Sequence, residues 1–209
     1  MLAPPNSPGR LRRPPVGLER GDVLLRSPLR PSPKQRGIVA VQRLVYAQQH
    51  AQFTHVGIYV GKGVVVDATP EHGVAARDCS DYFDGAWVRA RRLRVSRAAR
   101  VEVALEAMRW AAANRPYGTI AAAAAAFSAV GRPPPGSAWE LLFGRLVEKE
   151  RTKLGRRSSY SCAYCGNLVD DIAAAAANRS IINQIDCHAA LPAAFSADAT
   201  TYDDVQLHW

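Results

Sequence analysis

Two apolar runs on either side of Gly61-Lys62-Gly63 constrain the fold more than any other feature of the sequence. They occupy residues 55–60 and 64–68, and β-branched side chains dominate both. Such runs around a glycine-rich turn predict a hairpin of two antiparallel strands. Other short strands are predicted nearby, and their close spacing favours a single antiparallel sheet. These further strands lie near Gly21, Gly73, Val88 and Val205.

Helical patterns alternate with these strands and predict an α+β domain. Residues 38–49 have helical spacing, whereas residues 26–37 contain three prolines and are predicted to form a loop. Ser96 is a suitable N-cap for a helix that runs to about Asn114. Another helix is predicted from Cys165 to about Ala177. The predicted buried face of the Ser96 helix consists of Val101, Leu105, Met108 and Ala112.

The N-terminus differs from the rest of the chain in composition. Residues 1–17 are rich in proline and arginine and predict a disordered tail, and residues 18–209 predict one folded domain. The tail has no apolar core of the kind that a secretory signal needs. No stretch in the chain reaches the roughly 18 apolar residues of a membrane span. The sequence therefore predicts a cytoplasmic protein, and signal-less export would leave no trace in it.

The net charge of the 209-residue chain is +9 at pH 7. A basic balance of this size favours anionic partners such as an acidic polymer or an anionic membrane surface. A solvated basic surface with no specific partner is the alternative. No nucleic-acid-binding motif accompanies the charge, so no specific nucleic-acid partner is expected.

One of the four cysteines stands where a nucleophile would be favoured. Cys165 begins a predicted helix, where backbone N–H groups and the helix dipole stabilise a thiolate. Leu168 and Val169, three and four positions later, would bury the helix face beneath it. Gly166 leaves room for a substrate to approach. A cysteine before a helix can also be simply a small buried residue.

A thiol nucleophile needs a base and a polar group that orients the base, and His55 and Asp67 are the candidates. His55 begins a strand and shares its face with Gly57 and Tyr59, which makes both candidate substrate contacts. Asp67 lies on the neighbouring predicted strand. A two-residue turn would put Asp67 on the face opposite His55, whereas a three-residue turn would pair it with Gly57 and make it a diagonal neighbour of His55.

Three other functions remain open from the residues alone. Cys162, Cys165, Cys187 and His188 could form a zinc site if all four groups converged. The Cys162-x-x-Cys165 pair could act in redox chemistry, although no thioredoxin-like pattern precedes it. The chain could also be a catalytically silent binding module that uses its basic surface.

Taken together, the motifs resemble the permuted NlpC-like cysteine hydrolases, a group that includes YiiX-type proteins and relatives of lecithin–retinol acyltransferase. The resemblance covers residues 21–209. It depends on His55-Val56-Gly57-Ile58-Tyr59-Val60-Gly61, Val65-Val66-Asp67-Ala68-Thr69-Pro70 and Cys165-Gly166-Asn167-Leu168-Val169. Gly166 and Asn167 depart from the more usual Ser-Glu.

The resemblance implies a permuted papain-like fold, in which an antiparallel sheet packs against helices that include the nucleophile helix. It implies an acyl-thioester mechanism with Cys165, His55 and Asp67 in the catalytic roles. It implies no cofactor and no metal. The substrate would be a peptide, a peptidoglycan amide or an acyl lipid, the last through an acyltransferase or phospholipase reaction.

Overall fold

A computed structural model describes residues 15–118, residue 145 and residues 191–208 of the chain. Six strands form one sheet in the order β4-β3-β2-β1-β5-β6, and every pairing among them is antiparallel. The predicted α+β class and the predicted antiparallel sheet are therefore confirmed. The strands are β1 Val23–Pro28, β2 His55–Gly61, β3 Val64–Thr69, β4 Gly73–Asp78, β5 Ala86–Leu93 and β6 Tyr202–Val205.

Helices cover the two faces of this sheet unequally. One face carries the larger core cluster and packs against the fourth and fifth helices, through residues such as Trp110 and Phe195. The other face carries a smaller cluster beneath the third helix, with Tyr82 and Phe83. The described helices are α1 Pro33–Arg43, α2 Gln48–Ala51, α3 Cys79–Phe83, α4 Arg97–Ala112 and α5 Pro192–Ala197.

The turn between β2 and β3 decides which side chains share a face. Gly61 pairs with Val64, so the turn itself is only two residues long, and both Lys62 and Gly63 have positive φ. In a regular hairpin, such a turn would place the Asp67 side chain on the face of the sheet opposite to that of His55. An irregularity between Tyr59 and Gly61 adds one residue to β2 and restores the register in which Gly57 pairs with Asp67. Of the two turn lengths that the sequence left open, the shorter one is present, together with the Gly57–Asp67 pairing expected of the longer one.

Two helix predictions need correction. Residues 26–37 are not wholly a loop, because α1 begins at Pro33. The Ser32 hydroxyl accepts a hydrogen bond from the Gln35 amide, and the Ser32 amide donates to the Gln35 side-chain oxygen, which completes a capping box. In α4 the buried side chains are Val103, Ala104, Ala107 and Trp110.

The predicted stripe on α4 was therefore wrong, and Leu105 and Met108 are 43% and 41% exposed. The apolar residues of α4 lie on several of its sides, so their periodicity alone does not identify the face that packs against the sheet. Val103, Ala107 and the indole of Trp110 pack in the core cluster with side chains of the sheet, and this packing decides the orientation.

The described residues near the two chain ends pair with each other. Val16 and His208 form an antiparallel bridge, so the last residues of the predicted tail contact the C-terminal segment. The predicted Cys165 helix lies outside the described residues. Among the residues described, no helix combines the length and apolarity that a bilayer crossing requires.

Candidate active site

His55 and Asp67 are in direct contact on the face of the sheet that carries α3. The imidazole Nε2 of His55 lies 2.8 Å from Oδ2 of Asp67. Asp67 is 3% exposed, whereas the His55 side chain keeps 20% of its surface accessible. A carboxylate oxygen accepts hydrogen bonds, so Nε2 carries the proton in this pair and a neutral imidazole has its lone pair on Nδ1.

Arg77 holds the other oxygen of the same carboxylate. Its Nε donates to Asp67 Oδ1 at 2.8 Å, and its Nη2 donates to Thr69 Oγ1 at 2.7 Å. β4 supplies Arg77 and β3 supplies both acceptors, so adjacent strands position the whole network. Because both oxygens of Asp67 are engaged, the carboxylate presents one fixed orientation to His55.

Tyr82 and Arg26 border the imidazole from α3 and β1. The ring centroids of His55 and Tyr82 are 5.8 Å apart. Arg26 pairs with His55 in the sheet register, and its guanidinium donates to the carbonyls of Tyr82 and Asp84. The Tyr82 hydroxyl donates to the Leu24 carbonyl at 2.9 Å. These bonds fix α3 against the sheet and hold an aromatic ring beside His55.

Gly57 provides space for the contact between His55 and Asp67. It is buried opposite Asp67, and a Cβ atom at this position would lie 2.9 Å from a Val65 methyl, 3.0 Å from the Val66 carbonyl oxygen and 3.3 Å from the Asp67 Cβ. Gly57 therefore has a packing role between β2 and β3, and its contact with substrate stays a prediction. Only a hydrogen atom fits where the two strands meet at Asp67.

Tyr59 is a core residue on the same face of the sheet. It is 6% exposed and packs in the smaller core cluster with Leu24 and Val65. Its hydroxyl accepts a hydrogen bond from the Gly63 amide at 3.2 Å. The Tyr59 hydroxyl therefore supports the β2–β3 turn, and the contact of Tyr59 with substrate stays a prediction.

The predicted nucleophile segment lies outside the described residues. This applies to Cys165 and Gly166 and also to Cys162, Cys187 and His188, on which the zinc and redox alternatives depend. The described cysteine, Cys79, is buried in α3, and burial, followed by the charge of Asp78, raises the pKa of its thiol to about 12. A thiol with this pKa stays protonated near neutral pH, so Cys79 is unsuited to nucleophilic catalysis.

A second polar cluster lies on the opposite face of the sheet and was not anticipated from the sequence. His50 Nδ1 lies 2.9 Å from the Ser196 hydroxyl, and Arg89 donates to the same oxygen at 2.9 Å. Arg89 also forms a bidentate pair with Asp204. Ser196 is 1% exposed whereas the Asp204 side chain is 55% exposed, so the cluster connects helices to the sheet from the core out to the surface.

Neither cluster has the composition of a metal centre. Within residues 15–118 and 191–208, no three His, Cys, Asp or Glu side chains are grouped so that they could hold a metal ion.

The sequence analysis did not identify Arg77 as a residue of the site, although its position could have been anticipated. Once Asp67 faces the α3 side, the period of two along β4 puts Ala75 and Arg77 on that side too.

No protein-family model, curated protein or solved structure matches this chain.

Proposed function

We propose that this protein is a thiol-dependent hydrolase that cleaves amide bonds in peptides, cell-wall peptides included. Cys165 is the nucleophile, His55 is the general base and acid, and Asp67 orients His55. The observation that supports this most directly is the 2.8 Å contact between His55 Nε2 and the buried Asp67 carboxylate. A partly exposed imidazole held by a fixed carboxylate is the arrangement that nucleophilic catalysis requires of its base.

The contact assigns separate tasks to the two ring nitrogens. Nε2 donates to Asp67, so proton exchange with the thiol takes place at Nδ1. When Nδ1 gains a proton, the imidazolium is stabilised by the carboxylate that it already contacts. Arg77 supports this arrangement because it keeps the Asp67 carboxylate from rotating away.

The reaction follows from these roles and needs no further reagent than water. Nδ1 of His55 accepts the Cys165 thiol proton, and the sulfur attacks the substrate carbonyl carbon to form a C–S bond. Collapse of the tetrahedral intermediate breaks the C–N bond, and the amine leaves with the proton from Nδ1. Water then attacks the thioester and gives a proton to Nδ1. The C–S bond breaks, and that proton returns to the thiolate.

A permuted papain-like fold is part of the same proposal. In this arrangement the histidine and its carboxylate lie on adjacent antiparallel strands, and the cysteine comes later in the chain. The β2–β3 hairpin with His55 and Asp67 supports the first half of that description. Geometry rather than chain order defines such a site, so the order His55, Asp67, Cys165 is compatible with it.

Thiol mapping tests the proposal directly. The protein is treated with a limiting amount of iodoacetamide, and mass spectrometry follows modification of each cysteine with time. Cys165 should react fastest, and His55→Ala should slow it markedly. Cys162→Ser should leave it unchanged. Buried Cys79 is the internal control that stays unmodified while the protein is folded. Equal reactivity of Cys162 and Cys165, with no effect of His55→Ala, would remove the catalytic assignment and favour a silent binding module.

A substrate survey then separates amide from lipid chemistry. Peptide amides, peptidoglycan fragments and short-chain phospholipids are offered to the wild type and to Cys165→Ala. We expect release of an amine from the peptide substrates by the wild type alone. Turnover of phospholipid without amide cleavage would keep the Cys165–His55 chemistry and replace the substrate class.

A further inference from the structure

A long acid-free stretch surrounds the connection between β1 and β2. Residues 23–66 contain no aspartate and no glutamate, and they contain six arginines and lysines. The chain leaves the sheet after β1 and returns at His55, with α1 and α2 in between. Arg26 pairs with His55, so the connection stands at the end of the sheet that carries the imidazole. The exposed cations of this connection are Arg30, Lys34, Arg36 and Arg43.

Large apolar side chains are exposed among these cations. Leu29 is 48% exposed, Leu44 is 70% exposed and Val45 is 46% exposed. Single exposed apolar residues are ordinary, but these three flank one short helix and fall in the same segment as four exposed cations. We call residues 29–45 the α1 surface.

A polar residue anchors α1, and the exposed Leu29, Leu44 and Val45 flank this helix on its two sides in the sequence. Gln42 is the one buried residue of this helix. Its Nε2 donates to the carbonyls of Ala51 and Phe53, and its Oε1 accepts from the Ala193 amide. A buried polar anchor replaces the usual apolar face, and the opposite side of the helix presents a row at helical spacing. This outward row consists of Arg36, Ala40, Arg43 and Leu44.

We propose that the α1 surface docks onto an anionic lipid bilayer. Cations on this surface attract the anionic headgroups, and Leu29, Leu44 and Val45 enter the boundary between headgroups and acyl chains. Residues 23–66 themselves contribute no carboxylate that would oppose this attraction. Nucleic acid would also attract the cations, but its phosphates offer nothing to three exposed aliphatic side chains, so the bilayer is the better match.

Docking would bring the His55 end of the sheet close to the membrane. The proposal does not depend on the thiol chemistry, because vesicle binding is measured without turnover and Cys165→Ala should bind like the wild type. A protein that hydrolyses peptides and does not bind vesicles would retain the proposed function and lose the docking surface. A protein that binds vesicles and does not hydrolyse peptides would retain the docking surface and lose the proposed function.

The test is co-sedimentation of the full chain with vesicles of phosphatidylcholine alone or mixed with phosphatidylglycerol. We expect binding to the mixed vesicles only, weakening as salt is added. Arg36→Gln with Arg43→Gln should weaken binding at least tenfold, since each cation near an anionic surface contributes roughly fivefold. Leu44→Ser with Val45→Ser should also weaken it about tenfold or more by removing buried methylene and methyl groups.

Matched controls lie on α4, which carries exposed residues of the same kinds. Leu105→Ser with Met108→Ser, and Arg97→Gln with Arg109→Gln, should bind like the wild type. If the two double variants on the α1 surface and the two on α4 all bind vesicles as the wild type does, the basic N-terminal residues or the overall charge cause the attraction. The α1 surface is then excluded. If duplex DNA binds through Arg36 and Arg43 and the vesicles do not bind, the partner is nucleic acid and the lipid proposal fails.

Discussion

Arg77 and His55 approach the two different oxygens of one buried carboxylate, each at 2.8 Å from Asp67. The three side chains come from three adjacent strands, so the geometry is set by the sheet and not by a loop. Thr69 receives the second hydrogen bond of the Arg77 guanidinium at 2.7 Å. The arginine therefore cannot swing away from Asp67 without losing two hydrogen bonds.

The orientation of His55 should depend on this carboxylate. Asp67→Asn presents an amide that can turn its NH₂ group toward Nε2 and thereby favour the wrong tautomer. We expect hydrolysis to fall by roughly 10²–10⁴-fold, the range associated with a lost general base. Nitrogen-15 spectra of the His55 ring measure the tautomer independently of turnover. An unchanged tautomer together with unchanged turnover would mean that Asp67 does not orient His55.

Arg77→Met should lower the rate of hydrolysis less than Asp67→Asn does. The Asp67 carboxylate is still present in this variant, but its Oδ1 no longer accepts a hydrogen bond from residue 77. Thr69→Val is the control, since it removes one acceptor from the guanidinium and leaves the Arg77–Asp67 contact in place. A loss on Thr69→Val as large as that on Arg77→Met would point to general disturbance of β3 and not to positioning of the carboxylate.

The site shows where sequence reasoning succeeds and where it stops. β-branched runs around Gly61-Lys62-Gly63 suffice to predict the hairpin. The face of Asp67 depends on one extra residue in β2, and no local pattern distinguishes a bulge at Val60 from a longer turn. The relative energies of the bulge and of the longer turn depend on side-chain packing across the sheet. The periodicity of the sequence carries no information about that packing.

Gly57 gives a direct test of how tightly β2 and β3 meet. Gly57→Ala would bring a methyl group to 3.0 Å from the Val66 carbonyl oxygen and 3.3 Å from the Asp67 Cβ. We expect a loss of about 1–3 kcal/mol in the free energy of unfolding, as for other overpacked sites. The His55–Asp67 contact should lengthen as well. Chemical denaturation measures the stability.

Gly37 provides the matched substitution, because it lies within α1 and a Cβ there meets nothing within 4 Å. Gly37→Ala should raise the free energy of unfolding by roughly 0.5–1 kcal/mol, since alanine is the better helix former. If both alanine variants are equally stable, the close approach at Gly57 is not a constraint on the fold.

The attachment of α1 through Gln42 yields a further prediction. Gln42→Ala leaves two buried carbonyls and one buried amide without their partner, which should cost roughly 2–4 kcal/mol in the free energy of unfolding. Gln48→Ala at an exposed position of α2 should change it by less than about 0.5 kcal/mol. A Gln42→Ala protein as stable as the wild type would contradict the role of Gln42 as an anchor.

The same helix explains another limit of the sequence. The three prolines in residues 26–37 indicate a loop, yet Pro33 occupies the first turn of α1, where its missing N–H costs nothing. Ser32 and Gln35 form the capping box that signals this start. That local signal could have been recognised. The burial of Gln42 could not, because its three partners come from α2, from the residues before β2 and from α5.

His50 should make the stability of the fold sensitive to acid. Burial, followed by the charges of Arg89 and Arg91, lowers the pKa of His50 below its ordinary value, although a hydrogen bond to the Ser196 backbone and the charge of Asp204 oppose the effect. The bond to Ser196 fits the neutral ring, because the hydroxyl can donate to Nδ1 while it accepts from Arg89. Protonation would turn Nδ1 into a second donor toward the same oxygen, beside two guanidinium groups.

The sign of the pH dependence follows from this lowered pKa. Below about pH 6.5, where an unperturbed histidine gains its proton, the unfolded chain binds more protons at His50 than the folded chain does. Stability is therefore present above that pH and is lost as the pH falls below it. His50→Asn keeps an acceptor for the Ser196 hydroxyl and cannot titrate, so its Tm should fall less than that of the wild type between pH 7.5 and pH 5.5. The same substitution at the exposed His72 is the matched control and should follow the wild type. Parallel curves for wild type and His50→Asn would show that the His50–Ser196–Arg89 cluster does not couple protonation to folding.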